Sequence, residues 1–300
     1  MPNDSITNSS NDNTNPAAFA VPIIDFSTFL DPEASASQRK QVADDAYIAF
    51  RDVGFVDLVN HGFLLDLIGD AFGWVSITGA TAVSAKKKPH RWSSTPPRSA
   101  SSERPAALDV KESFECGRQD DMLTPNHWPD PAALPGFANF CMRYYWTMRE
   151  TQVHILHAVA LDMGLGDKRF FDPLHTHAQN QLRLLHYPSV DETALHAGEK
   201  ERIAAHSDFG TLTILVQDAC GGLEVQDPRS PPGTFVPAPP VGGAIIVNIG
   251  DFFMRWSNDD LKSTLHRVRA PPAPVMKEDG EHDEKAMVGK KLTASRYSIP

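Results

Sequence analysis

The fold and chemistry expected of this chain depend most on the stretch Ala204-Ala205-His206-Ser207-Asp208-Phe209-Gly210-Thr211-Leu212-Thr213-Ile214-Leu215-Val216. Residues 211–216 are β-branched or apolar and predict a strand. If the strand includes His206 and Asp208, their side chains point to one face, because the side-chain repeat is two residues. An imidazole and a carboxylate together suit a divalent metal of intermediate hardness. His266, on another short strand-like run, is the candidate for a third ligand.

A His-x-Asp pair alone occurs by chance in many sequences. Other histidines must therefore be considered as metal ligands. His175 and His177 form a second metal candidate, but no strand pattern flanks them. His154 and His157 lie on a predicted helix, and no third ligand follows at a recognised interval. His61 follows an Asn in a turn, which is typical of a structural histidine. The sequence therefore favours a site around His206.

Composition and charge argue against several classes of function. The chain of 300 residues has a formal net charge of −10 and no basic stripe, which disfavours nucleic acid and anionic membranes as partners. No apolar run approaches the roughly 18 residues of a membrane span, and the N-terminus lacks the features of a secretory signal. Cys116, Cys141 and Cys220 form no Cys-x-x-Cys pair. We therefore expect free thiols and a cytoplasmic protein.

The chain is expected to divide into a tail and two ordered regions. Residues 1–18 are rich in Asn, Ser and Asp and predict a disordered tail. The first ordered region is 19–125, within which 73–107 shows no persistent period and is expected to be irregular. The second ordered region is 126–300.

Periodicity predicts a mainly β fold with flanking helices. Apolar residues recur at helical spacing from about residue 37 to Gly54 and most strongly over about 136–162. From residue 181 the pattern changes to short strand-like runs bounded by Gly and Pro. Such runs are typical of a β-sandwich or jelly roll.

Several motifs occur in an order that identifies a family. His206-x-Asp208, then His266, then Arg296-x-Ser298 resembles the iron(II)- and 2-oxoglutarate-dependent dioxygenases of the isopenicillin N synthase-like superfamily. Further matching pieces are Val21-Pro22-Ile23-Ile24-Asp25, Gly54-Phe55, Asn60-His61-Gly62, Gly222-Leu223-x-Val225, Asn248-Ile249-Gly250-Asp251 and Trp256-Ser257-Asn258. Together these motifs are highly specific, whereas any one alone is not. The resemblance covers about residues 19–72 and 108–300.

The resemblance implies a fold and a domain organisation. It implies a double-stranded β-helix, or jelly-roll, core backed by a long helix. Residues 19–125 would be the N-terminal non-haem dioxygenase region, and 126–300 would be the long helix plus the catalytic core. Because this family continues beyond the Arg-x-Ser strand, the end at Pro300 predicts a C-terminal truncation. Residues 295–299 would then form a strand with an uncovered flank, and a protein otherwise expected to be a monomer would self-associate.

The resemblance also implies the metal and the reaction. Fe(II) would be held by His206, Asp208 and His266, which leaves three positions open for 2-oxoglutarate and O₂. Oxidative decarboxylation of 2-oxoglutarate would drive hydroxylation, desaturation or cyclisation of a small organic substrate. No catalytic residue beyond the metal site is expected, because the metal supplies the chemistry and the protein positions the substrate.

Three residues are expected to bind 2-oxoglutarate. Arg296 would bind its far carboxylate, because a guanidinium matches a carboxylate with two hydrogen bonds. Ser298, two residues further along the same strand, would face the same side. Tyr187 lies where the family often has a tyrosine that contacts the co-substrate. One departure is Leu185, where the family often has Asn.

Two alternatives remain open from the sequence. One is an iron oxidase of the same fold that does not use 2-oxoglutarate. The other is an inactive binding module, which a truncation would make credible. Substrate identity is not encoded in any motif of the chain.

Overall fold

Two β-sheets of unequal size organise the chain. The structure is a computed structural model that describes residues 19–84, 108–191, 200–269 and 293–300. Its strands are β1 Ile23–Asp25, β2 Phe55–Val59, β3 Leu108–Asp109, β4 Glu112–Cys116, β5 Leu182–Tyr187, β6 Lys200–Glu201, β7 Ile203–His206, β8 Leu212–Gln217, β9 Leu223–Gln226, β10 Phe235–Pro237, β11 Ile245–Ile249, β12 His266–Val268 and β13 Arg296–Ile299. Its α-helices are α1 Ser27–Leu30, α2 Ala36–Asp52, α3 Leu65–Ser84, α4 Phe137–Asp162 and α5 Asp251–Trp256.

The two larger sheets face each other across an apolar core. The large sheet has seven strands in the order β1-β2-β11-β8-β13-β5-β4, and the small sheet has four in the order β10-β9-β12-β7. Inward-facing residues of both sheets, among them Phe55, Leu185, Val225 and Val268, form one buried cluster. This arrangement agrees with the jelly-roll core that the sequence predicted.

Helices cover the outer face of the large sheet. Helix α2 begins with a capping box, in which the side chains of Ser35 and Gln38 satisfy each other's backbone N–H groups. Helix α4 begins directly after Gly136, whose φ of 84° suits glycine, and it confirms the helix predicted over about 136–162. Both helices bury their apolar stripes in the cluster that lies on this face. Within the described ranges, no helix combines the length and apolarity needed to cross a bilayer.

The prediction of an irregular segment beginning at residue 73 is wrong for residues 73–84. Helix α3 continues through them to Ser84. Its buried stripe is Ala71, Val75 and Thr78, with the Thr78 hydroxyl donating to the Trp74 carbonyl at 2.9 Å. The sequence pattern missed this stripe because threonine counts as polar until its hydroxyl is satisfied within the helix. Residues 85–107, and the predicted disordered tail 1–18, lie outside the described residues.

The expectation of an uncovered flank at residues 295–299 is also wrong. Strand β13 lies inside the large sheet, paired on one side with β5 and on the other with β8. Arg296, Ser298 and Ile299 are almost completely buried. Pairing on both edges leaves the strand without an open row of backbone groups.

Candidate metal centre and co-substrate pocket

Strand pairing in the small sheet brings two distant histidines together. His266 on β12 lies directly opposite His206 on the antiparallel strand β7. The centroids of their rings are 4.3 Å apart. Phe55, from the large sheet, packs its edge against the His266 ring, with the ring centroids 5.3 Å apart. The register of two backbones therefore fixes the relative position of the two imidazoles.

Hydrogen bonds determine which nitrogen of each histidine is available to a metal. Nδ1 of His206 lies 2.9 Å from the Ala204 carbonyl oxygen, and Nδ1 of His266 lies 3.2 Å from that of Thr264. A carbonyl oxygen can only accept, so each Nδ1 must carry the proton. In a neutral imidazole this leaves Nε2 with a free lone pair. In both histidines Nε2 is thus the nitrogen available to a metal.

The carboxylate of Asp208 completes a three-residue cluster. Its Oδ1 lies 3.8 Å from Nε2 of His206 and 3.8 Å from Nε2 of His266. Its Oδ2 accepts hydrogen bonds from Thr213 Oγ1 at 2.6 Å and from Asn248 Nδ2 at 2.8 Å. The three ligand atoms lie within 4.8 Å of one another, and no other such group of three occurs in the described ranges.

The sequence-based expectation that Asp208 shares a strand with His206 is wrong. Strand β7 ends at His206, and Asp208 lies in the loop that leads to β8. The carboxylate is aimed by Thr213 and Asn248 instead of by the pleat of a strand. These two residues were not predicted to have a role, although Asn248 belongs to one of the quoted motifs. Hydrogen bonds to the carboxylate depend on tertiary contacts, which spacing along the chain does not reveal.

The protonation states in the cluster favour metal binding. Burial acts to raise the pKa of Asp208, but His266 and the hydrogen bonds from Asn248 and Thr213 outweigh it, so the pKa is lowered. Burial, together with the proximity of His206, lowers the pKa of His266. A metal needs an ionised carboxylate and unprotonated imidazole nitrogens. The donor set, two imidazole nitrogens and one carboxylate oxygen, fits Fe(II) with open positions.

The rival histidines make structural contacts. His175 lies 2.9 Å from the Phe171 carbonyl oxygen through Nδ1 and 3.2 Å from Thr211 Oγ1 through Nε2. His157 contacts Asp172 at 2.9 Å through Nε2. His61 is buried, with one nitrogen bonded to the Phe63 N–H and the other to the Gly243 carbonyl. None of the rival histidines, His61, His154, His157, His175 and His177, belongs to a group of three potential ligands among the described residues.

A fully buried arginine lies in the same cavity as the cluster. Arg296 is 0% exposed and donates to the Gly221 carbonyl at 2.7 Å, to Ser298 Oγ at 3.0 Å and to Gln217 Oε1 at 3.2 Å. All three acceptors are neutral, and no carboxylate of the described residues forms an ion pair with this guanidinium. A buried charge without a counter-ion is costly. The site therefore favours an anionic ligand.

Tyr187 adds an unused polar group beside that arginine. It lies opposite Arg296 in the β5–β13 register, and its ring centroid is 5.0 Å from the guanidinium carbon. Its hydroxyl is buried and has no hydrogen-bond partner among the described residues. Burial raises the pKa of Tyr187, so the hydroxyl remains a donor at neutral pH. A carboxylate between Arg296 and Tyr187 would satisfy both groups, which fits 2-oxoglutarate.

One cavity of about 820 Å³ contains both sets of residues. The cluster of His206, Asp208 and His266 and the pair Arg296 and Tyr187 all line it. Leu185, at the position where Asn was expected, is also part of its wall and is buried. The aromatic side chains Phe209, Phe252 and Trp256 are exposed at its mouth.

Comparisons with known proteins agree with this geometry. Residues 178–282 match the 2OG-Fe(II) oxygenase superfamily, and residues 21–131 match the N-terminal region described as non-haem dioxygenase in morphine synthesis. The chain is 39% identical over 260 residues to proline hydroxylase buaE of Petromyces alliaceus, which covers 83% of this chain and 80% of the relative. The chain belongs to the 2-oxoglutarate- and Fe(II)-dependent oxygenase superfamily.

Other members of this oxygenase superfamily support the same assignment. The 2-oxoglutarate-dependent dioxygenase htyE of Aspergillus rugulosus is 35% identical over 271 residues, covering 84% of this chain and 80% of its own. The crystal structure of Neurospora crassa T7H in complex with alpha-KG superposes with a TM-score of 0.76 at 31% identity, covering 95% of this chain and 85% of T7H. T7H has also been crystallised with thymine.

The oxygenase assignment confirms the expected activity and cofactors. The protein is an Fe(II)- and 2-oxoglutarate-dependent dioxygenase that couples oxidative decarboxylation of 2-oxoglutarate to oxidation of a small organic substrate. O₂ is the usual co-substrate of such enzymes. The alternatives of an oxidase independent of 2-oxoglutarate and of an inactive module receive no support from these relatives.

Proposed function

We propose that His206, Asp208 and His266 hold the Fe(II) of this oxygenase as two imidazoles and one carboxylate on one face of the metal. The observation that carries this proposal is that Nδ1 of each histidine donates a hydrogen bond to a backbone carbonyl, that of Ala204 for His206 and that of Thr264 for His266. It leaves two Nε2 lone pairs directed toward the side of the cluster where Asp208 Oδ1 lies. This donor set would leave the metal able to bind the co-substrates as well.

Arg296 binds the far carboxylate of 2-oxoglutarate in this proposal. Its Nη groups give up their neutral acceptors for a charged one, which makes stronger hydrogen bonds. Ser298, bonded to the guanidinium at 3.0 Å, and the unpaired hydroxyl of Tyr187 both donate to the same carboxylate. When bound, Fe(II), 2-oxoglutarate and O₂ supply the oxidising chemistry, with succinate and CO₂ as products of the co-substrate.

The remaining residues of the site orient the Asp208 carboxylate and exclude water from the cavity. Thr213 and Asn248 hold the carboxylate of Asp208 so that Oδ1 faces the two imidazoles. Phe55 and Leu223 line the inner wall of the cavity and are buried, which limits water at the deep end. No side chain needs to transfer a proton for this assignment.

The domain organisation follows the same proposal. We place an N-terminal dioxygenase region at 19–125 and the long helix with the jelly-roll core at 126–300, which the matches at 21–131 and 178–282 support. Strands β1 and β2 of the first region extend the large sheet of the second. The cytoplasm is the proposed compartment, because the three cysteines are free thiols. The monomeric state stays a prediction.

Anaerobic spectroscopy tests the two binding assignments together. Fe(II) and 2-oxoglutarate added to the apoprotein should produce a visible charge-transfer band, because both must meet at one metal. Arg296→Leu should require a much higher 2-oxoglutarate concentration for that band, since losing one partner of a buried charge pair costs about 2–5 kcal/mol. Fe(II) binding without 2-oxoglutarate should remain close to wild type. A band with wild-type 2-oxoglutarate dependence in Arg296→Leu would contradict the assignment.

A further inference from the structure

The charges that line the cavity are opposite in sign to those of the whole chain. The chain carries a formal net charge of −10. Among the described residues that line the cavity, the arginines are Arg149, Arg183 and Arg296, and the only side-chain carboxylate is that of Asp208. The positive charge of iron offsets the negative charge of Asp208, and the negative charge of 2-oxoglutarate offsets the positive charge of Arg296. Two arginines remain that neither the metal nor the co-substrate uses.

Arg183 is too far from Arg296 to serve the same ligand. Arg183, Leu185 and Tyr187 alternate along β5, so they share its inner face. Tyr187 lies opposite Arg296, and Arg183 is four residues away along the strand, or about 13 Å at 3.3 Å per residue. This separation exceeds the length of a five-carbon dicarboxylate. This backbone spacing favours a second molecule, and not the far end of 2-oxoglutarate, as the anion at Arg183.

The ion pair of Arg183 is poorly formed. Its Nε lies 2.9 Å from Glu115 Oε1, but this buried Nε lacks the alignment of a hydrogen bond. Its Nη2 donates to Gln181 Oε1 at 3.3 Å, a long contact to a neutral acceptor. Glu115 is also held by Gln181, which donates to its Oε2 at 2.7 Å. The guanidinium can therefore accept a second carboxylate while Glu115 stays in place.

Arg149 places a second positive charge on the same wall. It lies on α4 and lines the cavity together with Arg183. Its Nη2 donates to the His175 carbonyl at 3.1 Å, and no carboxylate of the described residues forms an ion pair with it. The potential at this part of the mouth therefore favours an anion.

Other side chains at the mouth are apolar and exposed. The rings of Phe209 and Phe252 are 4.6 Å apart, and Phe209 is 74% exposed. Trp256 and Leu174 also line the cavity with much of their surface exposed. Exposed apolar side chains grouped at a cavity mouth are typical of a ligand contact surface.

We propose that the substrate is an α-amino acid with an apolar side chain, with its carboxylate bound by Arg183 and its ammonium group by Glu115, which borders the cavity through its 2.9 Å contact with Arg183. The adjacent guanidinium and carboxylate of these residues complement the two charges of an amino acid. The apolar side chain lies against Phe209 and Phe252. This inference rests on the proposed function, since the amino acid is the molecule oxidised at the iron. The name of the relative buaE, a proline hydroxylase, agrees with this class.

The test uses the full chain loaded with Fe(II) and 2-oxoglutarate. The probes are L-proline, L-leucine and L-phenylalanine, each with its carboxamide and its N-acetyl derivative. The readouts are a shift of the charge-transfer band, succinate formation, and quenching of tryptophan fluorescence in the metal-free protein, because Trp256 lines the cavity. At least one amino acid should give a response. Its carboxamide should require a roughly tenfold higher concentration for the same response, since charge-assisted hydrogen bonds are stronger than neutral ones.

Variants assign the two charges to residues. In Arg183→Leu the preference for acid over amide should fall to about one, and in Arg183→Lys it should fall part of the way. In Glu115→Gln the preference for the free amine over the N-acetyl derivative should fall, while that for acid over amide remains. Arg51→Leu, which changes an exposed arginine outside this cavity, should keep both preferences.

The possible outcomes distinguish a failure of this inference from a failure of the proposed function. A wild-type chain without the charge-transfer band contradicts the proposed function and this inference with it. A band without a response to any of the three amino acids overturns the inference alone. Equal response to acid and amide in the wild type, or an unchanged preference in Arg183→Leu, also overturns it. If Arg183→Leu does not fold, the wild-type comparison and Arg183→Lys decide the question.

Discussion

The proton on Nδ1 of each histidine proposed as an iron ligand is set by a carbonyl two residues earlier in the chain. His206 uses Ala204 and His266 uses Thr264. Such contacts fix the ring orientation and the tautomer of a metal ligand. The orientation of both imidazoles is therefore fixed by the backbone before any metal binds.

Alanine substitution of any one ligand should abolish turnover and weaken iron binding. His206→Ala, Asp208→Ala and His266→Ala each remove one of three protein ligands, so the remaining two cannot hold the metal on one face. Iron binding can be measured by titration with the band of the 2-oxoglutarate complex. His175→Ala is the matched control, because this histidine contacts Phe171 and Thr211 instead. Wild-type iron affinity in Asp208→Ala would refute the ligand assignment.

Removing the Thr213 hydroxyl, which donates to the Asp208 carboxylate, should reduce iron affinity less than removing a ligand does. Thr213→Val keeps the shape but deletes the 2.6 Å hydrogen bond to Asp208 Oδ2, so iron affinity should fall about 10–100-fold, as for other contacts behind metal ligands. Thr147→Val, which loses only a bond to a helical carbonyl, is the control. Unchanged affinity in Thr213→Val would mean that Asn248 alone orients the carboxylate.

At the scale of elements, the junction between β11 and α5 supports the loop that carries Asp208. The backbone N–H of Gly250 donates to the Thr211 carbonyl at 2.9 Å, and that of Asp251 donates to the Asp208 carbonyl at 2.7 Å. A Cβ atom on Gly250 would lie 2.2 Å from the Gly210 carbonyl oxygen. Only glycine allows the two backbones to approach this closely.

Gly250→Ala should therefore damage the site more than the fold. The loop must move to relieve the contact, which should weaken iron binding at least about tenfold and lower the free energy of unfolding by about 1–3 kcal/mol. Iron titration and chemical denaturation of the same preparation measure the two effects. Gly242→Ala has open space around the added methyl group and serves as the control. Equal iron affinity in the two variants would show that the loop tolerates the displacement.

The elements also show where sequence patterns are sufficient. Helix α4, strand β8 and the strand carrying His266 follow from apolar periodicity, because each buries one regular stripe or face. Helix α3 beyond residue 72 was missed, since Thr78 is buried with its hydroxyl bonded inside the helix. The hydrogen bonds to Asp208 and the position of Arg183 in the cavity wall depend on contacts that form only when the sheets assemble. Local pattern carries no information about such pairs.

At the scale of the whole molecule, one buried acid links stability to pH. Asp57 on β2 is 3% exposed, and its Oδ1 has no hydrogen-bond partner among the described residues. Burial raises the pKa of Asp57 from 3.8 to about 7. Between these two values the folded chain keeps a proton that the unfolded chain has lost. The free energy of unfolding must then fall as the pH rises through this window, and the loss is complete above pH 7.

Asp57→Asn should remove this dependence. Below pH 4 the variant and the wild type should have similar stability, because the acid is neutral in both states. Above pH 7 the variant should be more stable by up to about 4 kcal/mol, since each pKa unit corresponds to about 1.4 kcal/mol. Denaturant unfolding at several pH values gives the difference directly. Asp70→Asn, on an exposed face of α3, is the control, and a parallel pH profile for wild type and Asp57→Asn would refute the argument.

The pairing of His206 with His266 also has a consequence for the order of events after synthesis. The two residues are distant in sequence, and loop closure over such separations makes folding of β-rich chains slow. Because backbone register and the two carbonyl contacts already orient both imidazoles, the metal is not needed as a template. We therefore expect iron to bind an already folded chain and then to stabilise it by mass action. In a cell short of iron, this chain would accumulate as folded apoprotein that iron can activate without a new round of folding.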